Sequence, residues 1–183
     1  MKALSLIQPW ATAIMIGNKK IETRSWRTSY KGRIAIHAAK SFPKWAREFA
    51  ETERALGRIP DSLFPRLSFG MIIGFATIVG MRRTEDLEQE ITALERLYGD
   101  YSSGRWGWIL TDILPLPQPI PCKGALSLWE VPRDIIFEPT PRIPDQIKCS
   151  PESPCCERRD EYNGYGSDTL LSFICPNHCA CHD

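Results

Sequence analysis

From Lys2 to Ile7 the chain carries the rough two-residue alternation of a short strand. Gln8-Pro9 then opens a helix, with proline in the first turn, where its missing N–H costs nothing. Trp10, Ala13 and Ile14 form its apolar stripe, and Gly17 is placed to stop it. Residues 19–26 read as a strand, with Lys20, Glu22, Arg24 and Trp26 on one face and Ile21, Thr23 and Ser25 on the other. A turn spans Thr28 to Gly32. Arg33 to Ala39 is another strand, with Ile34, Ile36 and Ala38 directed inward and His37 on the opposite face.

Ser41 can cap a helix in which Trp45, Phe49, Thr52 and Leu56 share a face. Gly70 to Gly80 is nearly all apolar and flanked by glycines, the pattern of a buried strand. Thr84 is placed to cap a second amphipathic helix with Leu87, Ile91, Leu94 and Tyr98 inward, and Glu85 and Asp86 suit its N-terminal dipole. Two further strands, Trp106 to Asp112 and Cys122 to Val131, flank Pro115, Pro117, Pro119 and Pro121, which predict an extended but unpaired link. Strands and helices do not alternate regularly, so the pattern favours an α+β fold with a mixed, strongly curved sheet over a doubly wound one. Pro132, Pro139, Pro141 and Pro144 then lead away from the domain. The organisation expected is a domain over 1–133, a proline-rich linker over 134–148 and a Cys/His-rich acidic tail over 149–183.

The chain has 183 residues, 43% hydrophobic and 25% charged, which excludes a wholly disordered polypeptide. No apolar stretch reaches the roughly 18 residues of a membrane helix. The apolar N-terminus is broken by Gln8 and Pro9 and lacks a small-residue cleavage site, so a cytoplasmic setting is expected. The overall charge of +1 conceals an asymmetry. Residues 1–50 hold ten Lys/Arg against two acids, a net of +8, whereas residues 151–183 hold two Arg against six acids, a net of −4. A basic half points to an anionic ligand, and a solvated lysine-rich surface is the competing reading.

Most catalytic signatures are missing. There is no G-x-S-x-G elbow and no G-x-G-x-x-G loop. Gly99 to Arg105 fails as a phosphate loop, because Arg105 and Trp106 stand where lysine and Ser/Thr are needed and a helix precedes it. The informative stretch is Gln8-Pro9-Trp10-Ala11, then Gly17-Asn18-Lys19-Lys20-Ile21-Glu22-Thr23-Arg24-Ser25-Trp26, then Tyr30-Lys31-Gly32, then Ile36-His37-Ala38. In this order the motifs resemble the ASCH (activating signal cointegrator homology) family: Q-P-W-A, G-x-K-x-x-E-x-R-x-W, a basic residue plus glycine, and an I-H-A strand. Lys123-Gly124 and Leu128-Trp129-Glu130-Val131 are similar to the way such domains end.

The resemblance implies a PUA-like fold, a small curved β-barrel with flanking helices, and binding of RNA or another nucleic acid in a basic cleft around the G-x-K-x-x-E-x-R segment. It names Gln8, Lys19, Glu22, Arg24 and His37 as site candidates. The residues' own chemistry extends the set. Lys19, Lys20, Arg24, Arg27, Lys31 and Arg33 can neutralise phosphates, and Trp10, Trp26 and Tyr30 could stack bases. Glu22 could accept from an exocyclic amine. Structural readings compete at each position: an internal Glu22–Arg24 pair, a core Trp10, a satisfied structural His37, and core roles for Trp106, Trp108 and Trp129.

Two alternatives accompany nucleic-acid binding. One is hydrolysis of RNA or a modified nucleoside, with Lys19 and Glu22 as the catalytic candidates. Amidohydrolase-like relatives resemble G-x-K-T-x-T-x-R, and this chain has Lys20 and Glu22 where those carry threonines, so the nucleophile position is a carboxylate. The other is a protein-interaction module in transcription or translation.

Six of the seven cysteines, Cys149, Cys155, Cys156, Cys175, Cys179 and Cys181, crowd the last 35 residues together with His178 and His182. Two ligand clusters about 20 residues apart resemble a zinc ribbon without its C-x2-C spacing, and an unstructured tail is the competing reading. Metal analysis of protein purified under reducing conditions is expected to find up to one zinc ion per chain, lost on deletion of residues 149–183. A metal-free preparation would refute this.

Overall fold

The strand from Met71 to Arg83 is the one on which the rest of the sheet is assembled. In the computed structural model, which describes residues 1–59 and 67–135, the elements are β1 (Lys2–Leu6), α1 (Trp10–Met15), β2 (Ile21–Arg24), β3 (Gly32–Ala38), α2 (Lys44–Ala55), β4 (Met71–Arg83), α3 (Thr84–Leu87), α4 (Ala93–Leu97), β5 (Trp106–Pro121) and β6 (Leu128–Glu130). The expected linker and tail, with all six candidate zinc-binding cysteines, lie outside the described residues apart from Asp134 and Ile135.

The six strands form one mixed sheet in the order β2-β5-β4-β3-β1-β6. Only β1 and β3 run parallel, with Leu4 opposite Ile36. The sheet curls: Arg24 on the edge strand β2 donates from Nη2 to the Ser5 carbonyl on β1, 3.4 Å away and next to the opposite edge. Inside the curl, Leu4, Ile34, Ile36, Ile78, Trp108 and Ile14 are at most 1% exposed. Burial of each such side chain contributes about 1.5–3 kcal/mol. This is the expected α+β arrangement, a curved sheet flanked by helices.

Four local expectations change. The prolines do not leave an unpaired link, because β5 continues through them and pairs with β4 at Leu114, Pro115, Ile120 and Pro121. Since β2 pairs only with Trp106–Ile109, the distal half of β5 is an edge. Prolines are tolerated along such an open side, where a missing N–H costs no ladder hydrogen bond. The helix expected after Thr84 is broken into two. Thr84 Oγ1 donates to the Ser102 carbonyl at 2.8 Å instead of capping, and Thr92 starts α4 by accepting the Glu95 N–H at 3.1 Å. Arg82 grips Glu90 and the Asp86 carbonyl and fastens the break to the sheet.

In α2 the buried face is Ala46, Ala50 and Glu53, while Trp45 and Leu56 are each 57% exposed. No side chain caps it, since Pro43 rather than Ser41 holds the N-cap position. Small alanines bring the helix close to its neighbours, and Phe49 stacks on Trp10 with ring centroids 5.0 Å apart. The last strand is only three residues long. Cys122 turns its carbonyl to the His37 ring and Ser127 takes a positive φ of 60°, so the chain loops before β6.

Gly74 marks the tightest packing between α1 and the sheet. A Cβ there would collide with Met15 Sδ on α1 and lie 2.6 Å from the Leu114 carbonyl oxygen and 3.0 Å from the Pro115 Cα, the last two being backbone atoms that cannot give way. Gly74→Ala is expected to cost about 1–3 kcal/mol, read as a lowered urea midpoint.

Candidate nucleic-acid interface

β2 is only four residues long, and its entry is held from α4. The Glu95 carboxylate accepts the backbone N–H groups of Lys20 and Ile21, at 2.7 and 3.1 Å, and the Tyr101 hydroxyl at 3.3 Å. Lys19, fully buried, donates to the Ile21 carbonyl and lies 3.4 Å from Glu22 and 4.0 Å from Glu95. Arg24 faces the other Glu22 oxygen at 2.9 Å. Lys19, Glu22, Arg24 and Glu95 thus form one ion network, in which each buried charge has an opposite partner. Burial and the adjacent Glu95 carboxylate push the Tyr101 phenol well above its ordinary value.

The register carries this network to the mouth of the curl. Arg24 pairs with Trp106, and Trp106 with Arg83, so a cation–aromatic–cation row crosses three strands on one face. Glu22 likewise stands opposite the core residue Trp108. Beyond the row an open groove of about 420 Å³ is lined by Arg27, Thr28, Ser29, Lys31, Met81 and Trp106. The Arg83 guanidinium lies 4.1 Å from the Trp106 ring centre, and that of Arg27 lies 6.0 Å away.

The other candidates scatter. Lys20 is exposed beside the network. Trp26 packs edge-on to Trp108 at 4.7 Å, and its carbonyl accepts from the Trp108 indole. Tyr30 donates its hydroxyl to the Arg33 carbonyl at 2.8 Å. Trp10 is covered by Phe49 and Trp45 on the α2 side. Gln8 is fully buried, donating to the Ser68 carbonyl and accepting from the Thr12 N–H and hydroxyl. His37 is 2% exposed, with Nε2 2.9 Å from the Cys122 carbonyl and its ring under Gly124, where a Cβ would collide with Cε1. Among the described residues no three His, Cys, Asp or Glu side chains group to hold a metal ion.

Glu95, Arg83 and Trp106 were not singled out as site residues by sequence. Thr92-x-x-Glu95 has the spacing of a capping box, and that signal locates Glu95 at a helix start without revealing that its carboxylate faces β2. Arg82-Arg83 ends an apolar strand, which marks a sheet rim but not its neighbours.

Removing the carboxylate in Glu95→Ala strands two backbone donors and leaves the buried Lys19 with Glu22 as its one carboxylate partner among the described residues. A loss of about 3 kcal/mol in chemical denaturation is expected. Burial lowers the His37 imidazole below its ordinary 6.5. The unfolded chain therefore takes up that proton more readily, and the stability tied to neutral His37 is whole above 6.5 and lost as pH falls below it. The thermal midpoint of wild type relative to His37→Gln is expected to fall between about pH 7 and about pH 5.

Comparison with known proteins agrees with the motifs. A family model described as the ASCH domain matches residues 4–118. Activating signal cointegrator 1 of Homo sapiens is 28% identical over 131 residues, covering 70% of this chain, and its Mus musculus counterpart is 26% identical over the same length. The chain spans 22% of the length of these relatives. Among solved structures, ASCH from Zymomonas mobilis aligns with a TM-score of 0.40 and 20% identity over 65% of this chain and 71% of that one. A point variant of the same protein aligns with a TM-score of 0.40 and 21% identity, over 65% and 73%. With the family pattern matched over more than half its length, this chain belongs to the ASCH domain family.

Proposed function

We propose that this domain binds nucleic acid, and specifically RNA, along the basic groove beside Trp106. One contrast carries the reading. Arg58, Arg82, Arg96 and Arg105 are each paired with a carboxylate, whereas Arg27 and Lys31 in the groove lining and Arg83 against the Trp106 ring, like Lys20 and Arg33 nearby in the chain, have no carboxylate partner among the described residues. Three unneutralised cations around one groove repel one another, and a polyanion relieves that repulsion. The family's expected ligand is the same.

The Lys19–Glu22 pair supports positioning over turnover. Both Glu22 oxygens face cations, and Lys19 is sealed from solvent, so neither presents an open edge to a scissile group. The network acts by setting Arg24 and the β2–β5 register beneath the groove. A protein-interaction role, which the name of the cointegrator relatives suggests, would use less salt-sensitive contacts.

Labelled single-stranded RNA is expected to bind with a steep salt dependence, and to stay intact on a denaturing gel. Replacing Arg27, Lys31 and Arg83 by glutamine is expected to lower the slope of log affinity against log salt by about 2, near 0.7 per lost contact on single strands. An unchanged slope in a folded triple variant would move the site elsewhere. RNA cleaved by wild type but not by Glu22→Gln would establish the hydrolase alternative.

A further inference from the structure

Resting on the nucleic-acid reading above, we propose that this groove grips the sugar–phosphate backbone and does not read bases, with Trp106 serving to hold two guanidiniums in position. Arg83 reaches the Trp106 ring from β4, its direct cross-strand partner, at 4.1 Å. Arg27 reaches it from beyond the end of β2, the strand on the other side of β5, at 6.0 Å. A guanidinium held at an aromatic ring by its charge keeps N–H groups free, and that planar fork matches two phosphate oxygens. Arg83 is further oriented by one donation from Nη1 to the Gly104 carbonyl at 3.3 Å.

Recognition of adenine and cytosine edges lacks its usual equipment here. The Arg83 guanidinium, 4.1 Å from the ring centre, already occupies stacking space on Trp106. The neighbouring aromatics are committed elsewhere: Trp26 edge-on against Trp108, and Tyr30 beneath the Lys2 ammonium with its hydroxyl spent on the Arg33 carbonyl. Among the described residues no amide or carboxylate side chain lines the groove, so it lacks the groups that pair with adenine and with the cytosine amine, and Arg27 and Arg83, of the residue type that reads guanine, are held at the Trp106 ring. What lines it beside the cations is the hydroxyls of Thr28 and Ser29, and Thr28 Oγ1 already accepts the Tyr30 N–H at 3.0 Å, which leaves its proton to donate outward. Every polar side chain lining this groove can donate a hydrogen bond, which suits phosphate oxygens.

The experiment is a competition in which labelled oligouridylate bound to the full chain is challenged with inorganic polyphosphate or with uridine, for wild type and for Arg27→Gln/Arg83→Gln. Thermal melting first establishes that the variant is folded as wild type is. Polyphosphate at matched phosphate concentration is expected to displace the RNA while uridine does not. The double variant is expected to lose about tenfold or more in affinity for both polyanions alike. Trp106→Phe, which keeps a ring under the arginines, is expected to retain binding that Trp106→Leu loses. If the double variant loses RNA binding but polyphosphate fails to compete with wild type, the groove reads bases and the inference is overturned while RNA binding there stands. If the double variant binds RNA as wild type does, both readings fall.

Discussion

One buried carboxylate holds the edge of this sheet in place. Glu95 takes two consecutive backbone N–H groups at the entry to β2 and faces the sealed ammonium of Lys19. β2 has only β5 as a neighbour and contributes four residues of ladder, too little to define its own register against solvent. Anchoring its first residues from α4 removes that freedom. Every feature of the mouth follows from the resulting register: Glu22 opposite Trp108, Arg24 opposite Trp106, and Arg27 delivered just past the strand's end.

The basic character of the N-terminal half thereby divides into two physical classes. Lys19 and Arg24 are neutralised by Glu22 and Glu95, because a buried cation without a partner costs several kcal/mol. Arg27, Lys31 and Arg83 sit at the surface, where water bears that cost and their charge remains available. The same reasoning separates the aromatic residues. Trp108 is in the core and Trp10 beneath α2, whereas Trp106, at the rim, meets two guanidiniums.

Legibility followed the range of the interactions. The strand and helix of the first 40 residues, the stop at Gly17 and the buried β3 and β4 are written in periodicities of two and 3.6, which depend on near neighbours. The proline segment was harder, since four prolines exclude a central strand but not an edge, and which of these applies depends on how far β2 extends. The helix after Thr84 is interrupted between Leu87 and Ala93, where Arg82 on β4 holds the Asp86 carbonyl and Glu90, a contact that no helical periodicity reveals. On α2 the large apolar residues suggested one face, and the close approach that alanines allow selected another.

The sequence by itself determined the α+β class, the mixed sheet, the ASCH motifs and the concentration of positive charge between Lys19 and Arg33. Those properties reside in composition, order and short spacings. Only the tertiary structure decided which of those charges are spent inside and which are offered outside. Glu95 and Arg83 lie more than 50 residues from the motif they serve; the placement of α4 brings the first to it and cross-strand register the second. Burial set the rest: a charge's partner is chosen by what else is removed from water with it, and that is a property of the folded surface.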